Sequence, residues 1–161
     1  MKRFLVDVNV ILDLLLAREP HHSASAACLA AMEEGRVEGW ISAHAVTTLY
    51  YLCRRELGSD GARRAVEDLL ALCAVAPVDG FVISRALTLE LSDFEDAVSA
   101  AAAESAGCEA ILTRDAAGFA GAPLPALDPA ILLALLAEEV REPESAYGGR
   151  RRRSTRSAPR R

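Results

Sequence analysis

The stretch Phe4-Leu5-Val6-Asp7-Val8-Asn9-Val10-Ile11-Leu12-Asp13-Leu14-Leu15-Leu16 decides the fold. Phe4, Leu5 and Val6 have the aromatic and β-branched character of a buried strand and are too few to make a helix. Apolar residues then resume at helical spacing, so Asp7 falls where a strand ends and a helix begins. In open α/β sheets, ligands bind at the carboxyl ends of the strands. A carboxylate there, after three apolar residues, suits chemistry better than packing, although Asp7 also suits a helix N-cap.

Downstream text repeats the strand-then-helix pattern. Val10 to Ala17 reads as a short helix, broken at Arg18-Glu19-Pro20-His21-His22 because Pro20 disfavours helix before it. His21 and His22 are read as solvated. Ser23 to Glu34 is Ala-rich and helical, with Gly35 as its stop. Gly39 to Ser42 is a second strand and His44 to Arg55 a third helix, ended by Gly58. Ser59 or Asp60 caps the next helix, which runs to Cys73. Ala74 to Val78 is a third strand, placed at a sheet edge because Pro77 cannot donate to a ladder. Asp79 opens a helix over 80–90. Ser92-Asp93-Phe94-Glu95 has the form of a capping box before a helix ending at Gly107. Glu109 to Thr113 is a fourth strand, Leu124 to Leu127 a short fifth, and Pro129 to Val140 the last helix. Strands separated by helices imply a parallel sheet covered on both faces.

One domain is expected over residues 1–140. There 10 Lys/Arg face 21 Asp/Glu, a balance of −11, whereas residues 141–161 carry 8 Arg against 2 Glu, a balance of +6. The second segment reads as a basic, disordered tail, either a nonspecific nucleic-acid binder through counterion release or an inert end, two readings that composition does not separate. No run of about 18 apolar residues appears, so no membrane span is expected. The four cysteines include no C-x-x-C pair, which argues against zinc and for buried thiols in a cytoplasmic protein.

Three acidic places recur at equivalent points: Asp7 after the first strand, Asp93 and Asp96 at the helix before the fourth, and Asp115 just after the fourth. If the first and fourth strands are neighbours, these carboxylates meet. Two carboxylates about 4 Å apart repel by ~4 kcal/mol at an effective dielectric of roughly 20. A hard dication removes that conflict, and Mg²⁺ prefers a few carboxylates plus waters. Such a site polarises a phosphoryl oxygen and activates water, which fits phosphodiester hydrolysis.

The D-x-N-V-x-L-D opening, the Asp93-Phe94-Glu95-Asp96-Ala97 segment and the Ile111-Leu112-Thr113-Arg114-Asp115 run resemble the PIN-domain (PilT N-terminus) family, in particular VapC-like ribonuclease toxins. The resemblance covers residues 3–135. It implies a three-layer α/β/α fold with a central parallel sheet of four or five strands. It further implies Mg²⁺- or Mn²⁺-dependent cleavage of RNA, a homodimer, and an antitoxin that occludes the site. Carried over residue by residue, it makes Asp7, Asp96 and Asp115 the catalytic acids and metal ligands, with Asp93 a further candidate ligand. Asn9 and Thr113 become supporting residues. Read from its own position beside Asp115, Arg114 is the candidate phosphate contact, and His44, which equally suits a hydrogen-bonded surface role, and Thr47 are further supporting candidates.

Two departures stand out. Most members carry a glutamate on the helix after the second strand, and residues 42–50 contain no acid. The acid-Phe pair common after T-R-D is here Gly118-Phe119. The main alternative is therefore a module that keeps the fold and binds RNA or protein with weakened catalysis. An aspartyl phosphotransferase is a third reading, disfavoured because Asn9 stands where that chemistry wants a second acid. Asp13 reads as a helix-face residue, Tyr50 and Tyr51 as core, and Arg54, Arg55, Arg63 and Arg64 as a solvated face.

Overall fold

A computed structural model of the protein describes residues 1–141; the basic segment expected to be a tail lies, from residue 142, outside the described residues. The chain alternates β1 (Arg3–Val6), α1 (Val8–Leu15), α2 (His22–Glu33), β2 (Glu38–Ser42), α3 (Ala43–Leu72), β3 (Cys73–Ala76), α4 (Gly80–Ala86), α5 (Phe94–Ser105), β4 (Ala110–Leu112), β5 (Ala126–Leu127) and α6 (Pro129–Arg141). All five strands are parallel, in the order β3-β2-β1-β4-β5. This is the three-layer α/β/α sandwich expected from the sequence.

Alternate residues of each strand enter different cores, because successive side chains point to opposite faces. Phe4, Val6, Ile41, Ala110 and Leu112 pack on one face beneath α1, α2, α3 and α6. Leu5, Ala76 and Ile111 pack on the other beneath α4 and α5. Ala97 and Ala100 to Ala103 are all buried, and their small side chains let α5 lie close to the sheet. Asp96, one turn earlier, is thereby held at the sheet's carboxyl end.

As expected, the helical run of α3 is interrupted at Gly58, whose φ of 73° and ψ of 178° are non-helical and readily adopted only by glycine, so α3 is two helices meeting at a kink. Several local expectations need correction. The helix after Asp79 stops at Ala86. The cap of α5 is Asp93 rather than Ser92, with its carboxylate accepting from the amides of Glu95 and Asp96. Tyr50 packs against the core, but Tyr51 is exposed, because adjacent helical positions are about 100° apart. His22 is half-buried, with its ring nitrogen 3.1 Å from the Asp13 carbonyl. Arg54, Arg55, Arg63 and Arg64 are solvated. All four cysteines are buried free thiols, and no helix among the described residues is long and apolar enough to cross a membrane.

Candidate functional site

The sheet order puts the switch point between β1 and β4, since the chain winds outward to β3 before returning beside β1. Register pairs Val6 with Leu112, so the next residues, Asp7 and Thr113, emerge side by side. Pairing continues one step past β1 through the Asp7 amide, which donates to the Leu112 carbonyl at 2.9 Å.

Asp7 occupies the N-cap position of α1 but makes no side-chain cap hydrogen bond. Its Oδ2 instead accepts from the Thr113 hydroxyl at 2.7 Å and from Asn9 Nδ2 at 2.6 Å. The Thr113 hydroxyl, fully buried, also accepts from Asn9 Nδ2 at 3.1 Å and from the Asp115 amide at 3.0 Å. Those two donors fill the hydroxyl's acceptor sites, so its proton is committed to Asp7. Burial raises the Asp7 carboxyl above its ordinary range, the Thr113 bond and the nearby Val8 and Asn9 amides oppose the rise, and the charge of Asp115 adds to it.

An open crevice of about 250 Å³ lies above this corner, lined by Asp7, Asn9, Asp96 and Asp115, by Glu95 and Ser99 of the same helix as Asp96, and by His44 and Thr48 of α3. Asp96 is pushed up to about 6, first by burial and then by the charges of Asp7, Asp93, Asp115 and Glu95. The carboxylates thus feel one another, as expected of a shared site. Asp115 Oδ1 accepts from the Gly118 amide at 3.0 Å. A Cβ added to Gly118 would stand 2.9 Å from Asp115 Oδ2 and 3.2 Å from Asp96 Oδ2. Glycine leaves open the space that these two acids border.

That space suits an open, hydrated cation site. The donors are hard carboxylate oxygens, and Mg²⁺ is commonly held by one or two carboxylates plus waters. Among the described residues no three His, Cys, Asp or Glu side chains come close enough to form a protein cage for a metal. Asp93 does not line the crevice, and its Oδ1 holds the α5 cap.

The remaining sequence candidates divide. His44 reaches the crevice with its Nδ1 2.7 Å from the Oγ of buried Ser42. Burial lowers its pKa, partly countered by the nearby Glu95 carboxylate and main chain. Thr47 is exposed and donates to the His44 carbonyl at 2.7 Å; Thr48, one turn after His44, faces the crevice instead. Arg114 turns away from it: Nε lies 2.9 Å from Oδ2 of fully buried Asp13, an ion pair whose N–H is not aligned as a hydrogen bond. Glu95, Ser99 and Thr48 were not singled out from the sequence. Glu95 brings an acid opposite His44, on the side where residues 42–50 supply none. Its adjacency to Asp96 in an acidic segment was the available signal.

A family model for the PIN domain matches residues 3–117. The chain belongs to the PIN domain family. A search of curated protein sequences finds no significant match. Among solved structures, the PIN fold here is similar to DNA-bound VapBC from Salmonella typhimurium, with 17% identity and a TM-score of 0.62 over 80% of this chain and 99% of that one. FitAcB from Neisseria gonorrhoeae matches at 21% identity and a TM-score of 0.60, covering 78% of this chain and 97% of that one. VapC20 of Mycobacterium tuberculosis, a sarcin-ricin loop cleaving toxin, matches at 19% identity and a TM-score of 0.55, covering 67% of this chain and 86% of that one.

Proposed function

We propose that this PIN domain is a metal-dependent endoribonuclease that hydrolyses RNA phosphodiester bonds, and the toxin of a type II toxin–antitoxin pair. The observation that carries the proposal is the meeting of Asp7, Asp96 and Asp115 on one crevice at the β1–β4 switch point. Two of the three acids, from Asp96 and Asp115 beside the gap kept by Gly118 and from Asp7, would hold the cation, with water completing its coordination. Mg²⁺ or Mn²⁺ bound there would supply Lewis acidity toward the scissile phosphate and lower the pKa of the attacking water.

The chain's own residues do the positioning. Thr113 and Asn9 fix Asp7 through Oδ2, so the cation-facing geometry is set before any ligand arrives. Asp115 is fixed in turn by the Thr113 hydroxyl and the Gly118 amide. His44, oriented by Ser42 and with its pKa lowered by burial, would stand beside an RNA phosphate or sugar hydroxyl entering the crevice.

An antitoxin partner is supported by the resemblance to complexes such as VapBC, and a homodimer belongs to this reading as an expectation of the toxin resemblance. A second reading, a PIN-fold RNA- or protein-binding module, rests on residues 42–50 containing no acid. Incubation with structured RNA decides between them. The nuclease reading expects cleavage with Mn²⁺ that EDTA or Asp7→Asn abolishes. RNA binding without cleavage, indifferent to EDTA and to Asp7→Asn, would leave only the module.

A further inference from the structure

Asp13 has no exposed surface, yet it sits in α1 among Val10, Ile11 and Leu12, which are core residues. Its Oδ1 has no hydrogen-bond partner, and Ser25 Oγ reaches Oδ2 only at a long 3.4 Å. The close contact of its carboxylate is Arg114, whose Nε lies 2.9 Å from Oδ2. Replacing a buried ion pair by apolar side chains of similar volume is often neutral or stabilising. Stability alone therefore gives little reason for a carboxylate at this place.

Position gives a better one. Asn9 and Asp13 are four residues apart on α1 and so share a face. Asn9 Oδ1 accepts from the Arg114 main-chain amide at 3.3 Å, and Asp13 takes the guanidinium of the same residue. The segment after β4 is thus tied to α1 at two points one helical turn apart. On either side of the tied residue stand Thr113, which donates to Asp7, and Asp115.

We infer that Asp13, acting through Arg114, is a positioning residue: the pair draws the 113–115 segment onto α1 and sets Thr113 and Asp115 against Asp7. The inference rests on the nuclease reading for its functional consequence. In this arrangement Arg114 does not line the crevice, and its Nε is held by Asp13 while the side chain stays 28% exposed.

The test is the double variant Asp13→Leu with Arg114→Met, which removes both charges together. Urea unfolding should give a stability close to that of the native chain. Outer partners of metal ligands contribute about 10- to 100-fold to affinity or activity. The double variant should therefore bind Mn²⁺ at least about tenfold more weakly and cleave RNA with a lower kcat at little-changed KM. Its crystal structure should show the Thr113–Asp7 hydrogen bond broken. Arg114→Lys, which keeps a cation opposite Asp13, should retain most of the Mn²⁺ affinity and serves if the double variant does not fold. Native affinity, native kcat and an intact Thr113–Asp7 bond in a stable double variant would overturn the inference. So would an Arg114→Lys loss as large as that of an apolar substitution at 114. If the native protein neither binds Mn²⁺ nor cuts RNA, the nuclease reading fails by itself. The Thr113–Asp7 distance in the double variant then decides positioning alone, a broken bond supporting it and an intact one ending it.

Discussion

Thr113→Val is nearly isosteric and removes one oxygen from the centre of the acidic corner. That oxygen donates to Asp7 Oδ2 at 2.7 Å and accepts from Asn9 Nδ2 at 3.1 Å and from the Asp115 amide at 3.0 Å. A hydrogen bond to a charged group contributes ~1.5–3 kcal/mol, and a buried donor left unpaired costs ~1–3 kcal/mol. Asn9 Nδ2 keeps its second acceptor, Asp7 Oδ2, so the main losses are the Asp7 bond and the Asp115 amide. Because these losses are not additive, destabilisation of about 3 kcal/mol is expected. Against a total of roughly 5–15 kcal/mol this is a large effect. Urea titration at pH 7 without divalent cations measures it, and the midpoint should fall with m unchanged. Thr113→Ser keeps the hydroxyl and loses one methyl, which costs about 1 kcal/mol. A Thr113→Val variant within about 0.5 kcal/mol of the native chain, the range of an ordinary surface substitution, would refute the proposed role of the hydroxyl.

Three further outcomes follow from the crevice. Asp96 titrates higher in the folded state, near 6, than the usual carboxylate, so between those values the folded chain holds more protons than the unfolded one. Stability from this group is therefore present at low pH and is lost as pH rises through about 6, with partial exposure screening the size of the effect. Asp96→Asn should flatten that dependence in urea midpoints taken from pH 4.5 to 7.5; an unchanged slope would contradict it. Gly118→Ala places a methyl against the Asp96 and Asp115 carboxylates, so Mn²⁺ affinity by calorimetry should fall while the melting temperature changes little. Undiminished binding would remove Gly118 from the site. Finally, Mn²⁺ at about a hundred times its Kd should stabilise the native chain by ~2.7 kcal/mol and Asp7→Asn much less. Equal stabilisation of both in thermal melts would put the ion elsewhere.

The fold was legible because the residues that make it are local and strongly patterned. Three apolar residues before Asp7 and the Ile111-Leu112 run before Thr113 can be strands only, and their shared position before an acid anticipates neighbouring strand ends. That Asp7 and Asp115 would border one crevice was readable for the same reason, whereas Asp96 was singled out over Asp93 by the family resemblance. Contacts made across the fold were not. Nothing near Asp13 announces that its partner is Arg114, so this fully buried carboxylate read as a helix-face acid. Helical phase misled in two places: Thr48 rather than Thr47 faces the crevice, and Tyr51 faces solvent. Glu95, at the start of α5, stands near His44 in the crevice lining, a placement that no spacing rule distinguishes from a solvated acid.

A crystal structure grown with Mn²⁺ and phased on its anomalous signal tests the account most directly. The account predicts an anomalous peak in the crevice beside Gly118, with oxygens of at least two of Asp7, Asp96 and Asp115 about 2.0–2.2 Å away and water completing the coordination. A saturating Mn²⁺ soak that leaves the crevice without a peak, or with the ion held only by other residues, would contradict it.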